Sequence, residues 1–392
     1  MQGIKDRVAI IGMGCCKFGE LWDKTCEDML VDASKEAFKD AGLETKDIQA
    51  AWIGTYTSGI TGQGLANTLK FDYIPVTRVE NLCCTGTEAI RGAAYAIAAG
   101  VCDVALAAGV EKLKDSGETG LGWATTFFEH DGTYPPIPPA TFFAEAATKY
   151  FQRYGLSTEE GKRVLARISV KNHHNGSLNP KAHLRREITL EQAMNAPIVS
   201  SPLGLYDCCG VSDGASVAIL CRADMAKDFT KDYAMIKSLS IVVGAKQAEL
   251  RQDFDFSFYP ENVKASKYAY AEAGIKNPRE EIDLIELHDC FTINELMTCE
   301  DLGITPYGKY KEDSEAGFFD LDGGGVPVNT DGGLKCFGHP IGASGIRMTY
   351  EVYNQILGRA GDHQLKKADI GIAHNIGGNP GRFTSAITIL GR

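Results

Sequence analysis

Short runs of β-branched and aliphatic residues alternate along the chain with longer stretches in which apolar residues recur every three or four positions. Runs of the first kind are typical of buried strands, and stretches of the second kind are typical of amphipathic helices. In the first half, the pattern predicts strands at 8–12, 50–54 and 104–109 and helices at 27–41 and 87–99. This alternation indicates an α/β fold built on a parallel sheet.

The second half of the chain repeats the same order of elements. The pattern predicts strands at 234–244, 282–289 and 370–378 and helices at 260–274 and 344–358. In each half an aspartate, Asp103 or Asp369, precedes an apolar strand that ends in glycine. Self-similarity over so long a period indicates a duplicated unit. We therefore expect the glycine-containing turns at 83–90 and 338–346 to face each other across a pseudo-twofold axis.

The alternation breaks down in the middle of the chain. A YPPIPP run at 134–139 and a polar stretch at 171–187 predict a loop-rich insertion with one helix at 141–155, followed by a strand at 216–221. Long connections of this kind commonly determine specificity. The predicted domains are a first half formed by 1–115 and 200–230, an insertion at 116–199 and a second half at 231–392.

Composition excludes several classes of protein. The chain has 392 residues of which 44% are hydrophobic, so it can bury a large core and is neither disordered nor a small disulfide scaffold. Its net charge of −11 argues against nucleic-acid or membrane-surface partners, because both are anionic. The most apolar stretch, 93–110, is rich in Ala and Gly and contains Asp103, which favours a buried helix and strand over a membrane span.

The cysteines point to a reducing compartment. Twelve are present, in three adjacent pairs and six single positions, and no C-x-x-C spacing occurs, so we expect neither a metal site nor a redox dithiol. The N-terminus lacks the pattern of a secretory signal peptide. These features predict free thiols and a cytoplasmic location.

The strongest chemical motif is the glycine-rich segment NTDGGLKCFGHPIGASG at 329–345. It holds His339, which suits a general base or an oxyanion donor. The alternative is a structural histidine buried in the core. The surrounding glycines favour the functional interpretation, since a backbone without side chains permits a close approach.

A second motif, VENLCCTGTEAI at 79–90, places Cys83 and Cys84 at the start of a predicted helix. The dipole at a helix N-terminus lowers the pKa of a thiol, as a nucleophile requires. Alternatively, both cysteines are small buried hydrophobic residues. Only one of two neighbours can face a site, so the other is expected to pack.

Two further motifs lie where predicted strands end. His288, Asp289 and Cys290 follow a buried strand at its carboxyl edge, where ligands gather in α/β sheets, although Asp289 is equally suited to capping the next helix. The segment HNIGGNPG at 374–381 offers backbone N–H groups for an oxyanion hole or simply ends a strand.

The densest basic cluster of the insertion consists of Lys181, Arg185 and Arg186. Such a cluster is usually a solvated face. It is also the kind of local positive charge that an acidic chain needs to hold the phosphates of an anionic substrate.

Together, the motifs VENLCCTG, AGVEK, SDGASVAIL, HDCF and GHPIGASG resemble those of the thiolase superfamily, and within it the sterol-carrier-protein-type branch. The resemblance covers the whole chain. It implies an α/β thiolase fold, with two similar βαβαβαββ halves in a five-layered α-β-α-β-α arrangement and a loop-domain insertion. The C-terminal cysteine that most thiolases carry is replaced here by Asn375, and the resemblance assigns its role to Cys290.

The resemblance also implies a mechanism. His339 assists the ionisation of Cys83, the nucleophile, and Cys290 carries a proton while His288 holds a water. The N–H groups of Cys83 and Gly377, together with His339, form the oxyanion holes. Residues expected to contact substrate are Lys181, Arg185, Arg186, Phe127, Phe128 and Ser344.

The implied activity is a CoA-dependent thiolytic cleavage of a 3-oxoacyl-CoA. Coenzyme A is the cosubstrate, and no permanently bound cofactor or metal is expected. The implied partners are a second copy in a homodimer and a small zinc-binding OB-fold (DUF35-type) subunit. Aromatic residues of the insertion suit an aryl substrate, as in the thiolases that cleave benzoylsuccinyl-CoA into benzoyl-CoA and succinyl-CoA in anaerobic toluene degradation; they are Trp123, Phe127, Phe128, Tyr134, Phe142 and Phe143.

Three alternatives stay open. In the first, the chain is an acetyl-CoA C-acetyltransferase that works in a complex with the OB-fold subunit. In the second, it is a decarboxylating ketosynthase, since Cys83, His288 and His339 also form a Cys-His-His set. As a third alternative, it is a non-catalytic scaffold subunit.

Overall fold

The computed structural model describes residues 3–114, 138–246 and 250–392. Phe127, Phe128, Trp123 and Tyr134 lie outside the described residues. The strands are β1 Val8–Cys15, β2 Ala50–Gly54, β3 Val76–Val79, β4 Val104–Glu111, β5 Ile198–Ser200, β6 Leu203–Gly204, β7 Gly214–Arg222, β8 Ala234–Val243, β9 Leu284–Glu286, β10 Ile370–Asn379 and β11 Arg382–Gly391.

The helices of the first half and the insertion are α1 Cys26–Ala41, α2 Gly62–Leu69, α3 Thr85–Ala98, α4 Pro139–Arg153, α5 Thr158–Leu178, α6 Leu190–Met194 and α7 Ala226–Phe229. Those of the second half are α8 Pro260–Ala273, α9 Pro278–Glu281, α10 Thr292–Asp301, α11 Tyr310–Glu315, α12 Gly333–Cys336 and α13 Ile341–Leu357. Local signals set several ends: α1 begins at a capping box of Thr25 and Asp28 and stops at the left-handed Gly42.

Nine strands form one sheet in the order β3-β2-β4-β7-β1-β8-β11-β10-β9. The pairs β2–β3, β2–β4 and β9–β10 are parallel, whereas β7 and β11 run antiparallel to their neighbours. The expectation of a parallel sheet is therefore wrong for part of it. The reason is that β11 follows β10 through a tight turn, while β7 returns from the insertion and runs beside β4 in the opposite direction.

The two halves share the predicted element order, and the α/β thiolase fold is confirmed. The first half follows the βαβαβαββ order through β1, β2, β3, β4 and β7. In the second half the third strand is reduced to a single parallel bridge between Val328 and Ile285. The halves join where β1 pairs with β8 at Ala9–Met235 and Ile10–Ala234.

Helices α3 and α13 form the central layer between the two halves. Helix α3 packs on β2, β4 and β7, while α13 packs on α3 and on strands of both halves, β4 and β10 among them. Helices α1 and α8 cover the outer faces. The central contact is close, since a Cβ added to Gly86 would lie 2.9 Å from the carbonyl oxygen of Gly342. The glycine-containing segments 83–90 and 338–346 therefore meet at the first turns of α3 and α13, as the sequence predicts.

The insertion is more helical than the sequence indicates. The predicted helix at 141–155 corresponds to α4, but the first part of the polar stretch at 171–187 belongs to the 21-residue helix α5. Its polar residues Asn172 and Asn175 are buried and hydrogen-bonded to the second half, which explains why an apolar period is missing there.

The stretch 93–110 forms the end of α3 and most of β4. The strand is buried, as predicted, whereas the end of α3 is buried on one face and exposes Tyr95 on the other. Among the helices in the described part of the chain, none has the length and apolar character needed to cross a bilayer.

Candidate active site

A cavity of about 270 Å³ opens where the two halves and the insertion meet. It is lined by the turn before α3, the segment after β9, the turn before α13 and the end of β10. Four of the predicted catalytic and proton-carrying side chains reach its wall, namely Cys83, His288, Cys290 and His339. Most of the remaining lining is apolar, including Leu82, Phe143, Phe291, Ile341, Ile376 and Phe383.

A strained turn presents Cys83 to this cavity. Leu82 has a φ of 52°, which is uncommon for a residue with a branched side chain, and α3 begins two residues after Cys83. A Cβ on Gly377 of β10 would lie 2.8 Å from the Leu82 Cβ and 2.9 Å from the Cys83 nitrogen. The turn is thus held against a strand that must carry glycine. Cys84 is fully buried, and its Sγ lies 3.3 Å from the Thr384 carbonyl oxygen, so Cys84 packs.

The hydrogen bonds of His339 determine which ring nitrogen is free. Ser344 donates its hydroxyl proton to the carbonyl oxygen of Pro340 at 2.9 Å, so its oxygen must accept from His339 Nδ1 at 2.8 Å. The neutral ring therefore carries its proton on Nδ1. Nε2 is buried and has no hydrogen-bond partner among the described residues. Its lone pair is available to accept a proton.

Three reactive atoms converge in the cavity. The Cys83 Sγ and one ring nitrogen each of His288 and His339 lie within 4.8 Å of one another. The two imidazole rings meet edge to face with centroids 5.0 Å apart. A thiol and an imidazole base at this separation can exchange a proton once substrate closes the gap.

Burial keeps this pair neutral. Burial, together with the carboxylates of Glu80 and Glu111, raises the pKa of Cys83 to about 12. Burial and the cationic Arg347 lower the pKa of His339 to about 3. The prediction that the thiol pKa is lowered is therefore not met, because burial disfavours the thiolate.

His288 is oriented by Asn375, the residue that replaces the C-terminal cysteine. Asn375 Oδ1 accepts a hydrogen bond from the Thr87 hydroxyl at 2.9 Å, which turns its amide NH₂ towards His288 Nδ1 at 3.5 Å. Nδ1 is then the acceptor, and the ring proton resides on Nε2. Burial and the nearby His339 hold the pKa of His288 well below its usual range, so the ring is a neutral donor.

Cys290 lies on the same cavity wall, 7% exposed, and its Sγ accepts a hydrogen bond from Asn294 Nδ2 at 3.2 Å. Burial raises its pKa well above the usual range. Cys290 is thus a protonated thiol beside the Cys-His-His set. A second thiol, that of Cys209, lines the cavity next to it, since the Cys209 N–H donates to the Cys290 carbonyl oxygen at 2.9 Å.

The aromatic part of the wall is ordered by stacking. The rings of Phe143 and Phe291 stack with centroids 4.6 Å apart, and Phe383 stacks on Phe143 at 6.1 Å. Of the insertion aromatics predicted to meet substrate, Phe143 is the one that the described structure places on the cavity wall, whereas Phe291 and Phe383 come from the second half. An apolar, aromatic wall of this kind accepts a bulky acyl group.

Two buried carboxylates brace the site from behind. Glu111 accepts hydrogen bonds from the backbone N–H groups of Tyr56, Thr57 and Ser58 and from the Gly342 N–H near the start of α13. It therefore ties the turn that carries His339 to the end of β2.

Asp289 accepts from the Leu334 N–H at 2.6 Å and from Asn172 Nδ2 at 2.8 Å. It caps α12, which precedes the His339 turn, and not the following helix that the sequence suggested. The helix that follows, α10, begins after Phe291 without a side-chain cap, and Asn172 Nδ2 joins Asp289 to Glu295 of this helix.

Some predicted substrate-binding residues are not brought to the cavity. Lys181 Nζ bonds the carboxylate of Glu36 at 2.5 Å and the hydroxyl of Tyr350 at 2.8 Å, so its charge is already paired. Arg185 and Arg186 are exposed elsewhere on the insertion. A contact of these two with CoA phosphates stays a prediction. Ser344 reaches the site through His339 and does not line the cavity.

The predicted oxyanion holes involve the backbone at Cys83 and Gly377. Cys83 lines the cavity, as does Gly378, whereas Gly377 does not. His339 can donate from Nε2 only after taking up a proton there. Its roles as base and as oxyanion donor would therefore follow one another. Both oxyanion holes stay predictions.

The three reactive atoms are also a donor set for a soft metal ion. Among the described residues, Cys83, His288 and His339 form the group of His, Cys, Asp or Glu atoms close enough to share an ion. One thiolate and two imidazoles would suit zinc, with a fourth position open. Such an ion would occupy the atoms that an acyl transfer needs.

Sequence reasoning missed several residues that shape this site. Tyr56 and Phe383 stand in no motif, and Asn294 stands in the motif at 285–296 without having been assigned a role. Glu111 stands within AGVEK, and its charge at the end of an otherwise apolar strand was a usable signal. A charge at such a position must find many donors once it is buried.

The comparisons with known proteins agree with this geometry. The N-terminal domain model of the thiolases matches residues 8–224, and a C-terminal domain model described as thiolase-like matches residues 243–392. The chain belongs to the thiolase family. Rabbit (Oryctolagus cuniculus) sterol carrier protein 2 is 30% identical over 403 residues, covering 95% of this chain and 70% of that protein, in keeping with the sterol-carrier-protein-type branch.

Two relatives match over almost their whole length. The acetyl-CoA acetyltransferase of Methanothermobacter thermautotrophicus is 38% identical over 391 residues, covering 98% of this chain and 99% of its own. The benzoylsuccinyl-CoA thiolase subunit BbsB of Thauera aromatica is 30% identical over 383 residues, covering 96% of each. The chain is accordingly a thiolase-family acyltransferase.

One solved structure, described as an Ltp2-ChsH2(DUF35) aldolase, superposes with a TM-score of 0.84 at 25% identity. The match covers 99% of this chain and 98% of that one.

Proposed function

We propose that the protein transfers an acyl group between carbon and the sulfur of CoA through an acyl-enzyme on Cys83, acting on a 3-oxoacyl-CoA. The observation that supports this most directly is the convergence of the Cys83 Sγ and two ring nitrogens within 4.8 Å at the wall of an apolar cavity. Nucleophile, base and donor are then all within reach of one carbonyl group.

In the first step, His339 Nε2 takes the proton of Cys83 as the sulfur attacks the 3-oxo carbon. Since the imidazolium of His339 is disfavoured by burial, it forms only as negative charge develops on the substrate oxygen. The tetrahedral intermediate collapses with cleavage of the bond between C2 and C3. The acyl group stays on Cys83, and the shorter acyl-CoA leaves as an enolate.

Cys290 then completes the cleavage. Its thiol gives its proton to C2 of the enolate, while the Nε2–H of His288 stabilises the enolate oxygen directly or through a water. The resulting Cys290 thiolate takes the proton of an incoming CoA thiol. That CoA attacks the acyl-enzyme and releases the Cys83 thiolate, which takes back its proton from His339, so the kinetics are ping-pong.

The aromatic wall favours a substrate larger than acetoacetyl-CoA. The stacked rings of Phe143, Phe291 and Phe383 line the cavity, and a relative named for benzoylsuccinyl-CoA matches 96% of the chain. We therefore place an aryl acyl-CoA, with benzoylsuccinyl-CoA as the test substrate, ahead of acetoacetyl-CoA. Acetyl transfer is the second candidate, since the relative with 38% identity carries that name.

The assembly is part of the same proposal. We propose a cytoplasmic homodimer that associates with a small zinc-binding OB-fold subunit of the DUF35 type, as the name of the matching aldolase structure includes such a subunit. Association of the purified chain with a DUF35-type protein, measured by analytical ultracentrifugation, tests both expectations.

The acyl-enzyme provides the decisive experiment. The protein is mixed with benzoylsuccinyl-CoA or with acetoacetyl-CoA and quenched in acid, and the mass increase is assigned to a peptide by mass spectrometry. We expect an adduct on Cys83 and ping-pong kinetics, both lost in Cys83→Ala. Cys84→Ala is the matched control, because that thiol is packed and should not be required.

Two outcomes would contradict the proposal. Cleavage that continues in Cys83→Ala at the original rate would indicate an aldolase-type reaction without an acyl-enzyme. A wild-type protein that turns over malonyl thioesters but forms no product from 3-oxoacyl-CoA would indicate a decarboxylating ketosynthase.

A further inference from the structure

Asn294 lies behind the proposed proton carrier. It is fully buried on the first turn of α10, four residues after Cys290, and its Nδ2 lies 3.2 Å from the Cys290 Sγ. Cys290 lies two residues before α10, so the contact joins the segment that leads into this helix to its first turn. Asn294 stands within the motif IELHDCFTINEL at 285–296, but the sequence assigns it no role.

The orientation of the Asn294 amide is fixed by a second buried residue. Tyr259 is fully buried, and its hydroxyl donates to Asn294 Oδ1 at 2.8 Å. Because the oxygen side of the amide faces this hydroxyl, the NH₂ side faces the sulfur. Tyr259 is itself held by the bond from its backbone N–H to Asp301 and by an edge-to-face contact with the Phe383 ring.

This arrangement has two chemical consequences for Cys290. Since Sγ accepts from Asn294, its own S–H proton is not used in that bond and is free to point into the cavity. When the proton leaves, the N–H···S bond becomes charge-assisted and stronger. One amide therefore both aims the proton and stabilises the thiolate left behind.

We infer that Asn294, oriented by Tyr259, is the positioning residue for the Cys290 proton transfer. The inference rests on the proposed function, in which Cys290 protonates the enolate. The bond formed is C2–H of the product, the bond broken is S–H of Cys290, and the CoA thiol restores the proton in the second half-reaction.

The surroundings of Cys290 otherwise oppose its ionisation. The titratable groups that face it are the thiols of Cys209 and Cys83 and the carboxyl of Asp289, and a negative charge on any of them raises the pKa of Cys290, as does burial. The hydrogen bond from the Asn294 amide acts in the opposite direction and lowers the pKa of Cys290.

The test uses Asn294→Leu, which keeps the volume and removes the hydrogen bond. Alkylation of Cys290 by iodoacetamide is followed by peptide mass spectrometry as a function of pH. We expect the midpoint to rise by about one pH unit and solvent-proton exchange at C2 of the acyl-CoA product to slow about tenfold. The burst of Cys83 acylation should not change.

Two further variants guard against a merely structural effect. In Tyr259→Phe the Asn294 amide loses the hydroxyl that orients it, while Cys290 keeps its neighbours. The Cys290 midpoint should shift in the same direction as in Asn294→Leu but by less, so this variant tests the inference even where Asn294→Leu does not fold. Thr298→Val removes another buried hydrogen bond of α10, to Asn262 at 3.2 Å, and should leave the Cys290 midpoint unchanged.

An unchanged alkylation profile in folded Asn294→Leu would overturn the inference, as would an equal shift in Thr298→Val. Failure of the proposed function would give a different result from failure of this inference. In that case the wild-type protein forms no Cys83 adduct, while the Cys290 profile still responds to Asn294→Leu.

Discussion

The Ser344 hydroxyl sets the protonation pattern of His339. It donates to the Pro340 carbonyl and therefore accepts from Nδ1, which leaves the Nε2 lone pair facing Cys83. A base that must act while buried cannot depend on solvent to select its tautomer. One hydroxyl on the first turn of α13 thus does what a carboxylate does in other catalytic sets.

Removal of that hydroxyl should weaken catalysis without unfolding the protein. We expect Ser344→Ala to lower kcat about tenfold, because one buried hydrogen bond contributes roughly 1 kcal/mol and the ring is free to adopt the other tautomer. Steady-state kinetics measure the change. Thr349→Ala is the control, since its hydroxyl bonds the Gly345 carbonyl on the same helix, away from His339. An equal loss in both variants would contradict the role given to Ser344.

The pH dependence of Cys83 is a second prediction at this scale. The pKa of Cys83 is raised to about 12 and that of His339 lowered to about 3, so both are neutral throughout the range between these values. Because the pKa of Cys83 is raised, its thiolate fraction keeps rising with pH above about pH 8.5, where the thiolate fraction of an ordinary thiol levels off. Alkylation of Cys83 in the free protein should therefore increase about tenfold per pH unit from about pH 6 to 9.

Peptide-resolved alkylation rates, with glutathione as the reference thiol, provide this measurement. A rate that is already constant at pH 7 would instead reveal a preformed thiolate–imidazolium pair.

At the scale of elements, the nucleophile turn depends on β10. The strained Leu82 and the Cys83 nitrogen both lie where a side chain on Gly377 would stand. Strain at one residue persists only where neighbouring elements hold it, and here the neighbour comes from the other half of the chain. The duplication therefore contributes directly to the geometry of the nucleophile.

Gly377→Ala should displace the turn and reduce acylation. Its Cβ would lie 2.8 Å from the Leu82 Cβ and 2.9 Å from the Cys83 nitrogen, which forces a shift of the backbone. We expect kcat/KM to fall at least about tenfold while the protein stays folded by circular dichroism. Gly64→Ala in α2 is the control, because its nearest atom would be 3.5 Å away. Full activity in Gly377→Ala would show that the turn does not rely on this contact.

Most elements could be predicted from the sequence, because their apolar periods reflect simple burial. Helices α1, α3, α8 and α13 begin and end within a few residues of the predicted bounds. The exceptions have tertiary causes. Helix α5 continues through a polar stretch because Asn172 and Asn175 bond to the second half, and strand direction in β7 depends on how the chain returns from the insertion.

The residues of the candidate site that stand in local sequence motifs could be predicted. His339, Cys83, His288 and Cys290 all stand in such motifs, and the structure brings them to one wall. Asn294 and the true role of Ser344 were not predictable, since they depend on side-chain contacts that only the fold creates. For Lys181 the sequence predicts a contact with substrate, whereas in the structure its charge is paired with Glu36. This pairing could not be predicted, because Glu36 is 145 residues distant in sequence.

At the scale of the whole molecule, the two halves are not independent. Strands β1 and β8 join their sheets, and α13 packs on strands of both. Domains that share a core in this way unfold together. The similarity of the halves describes their internal order and does not make them separable units.

Thermal unfolding should therefore show one transition. We expect calorimetry to give equal calorimetric and van't Hoff enthalpies for the protomer, and we expect the segments 1–230 and 231–392 to be insoluble when expressed separately. Two resolved transitions, or a folded isolated half by circular dichroism, would contradict this view.

Strand β3 lies at one end of the sheet and pairs with β2 on one side, while no strand of the described residues pairs with its other side. An open strand edge is a template on which another chain can continue the sheet. Only three residues, Glu80 to Leu82, separate this edge from Cys83. A subunit bound to this edge would lie only a few residues from the nucleophile along the chain. Its binding would therefore affect the position of Cys83, and with it the reactivity of this thiol.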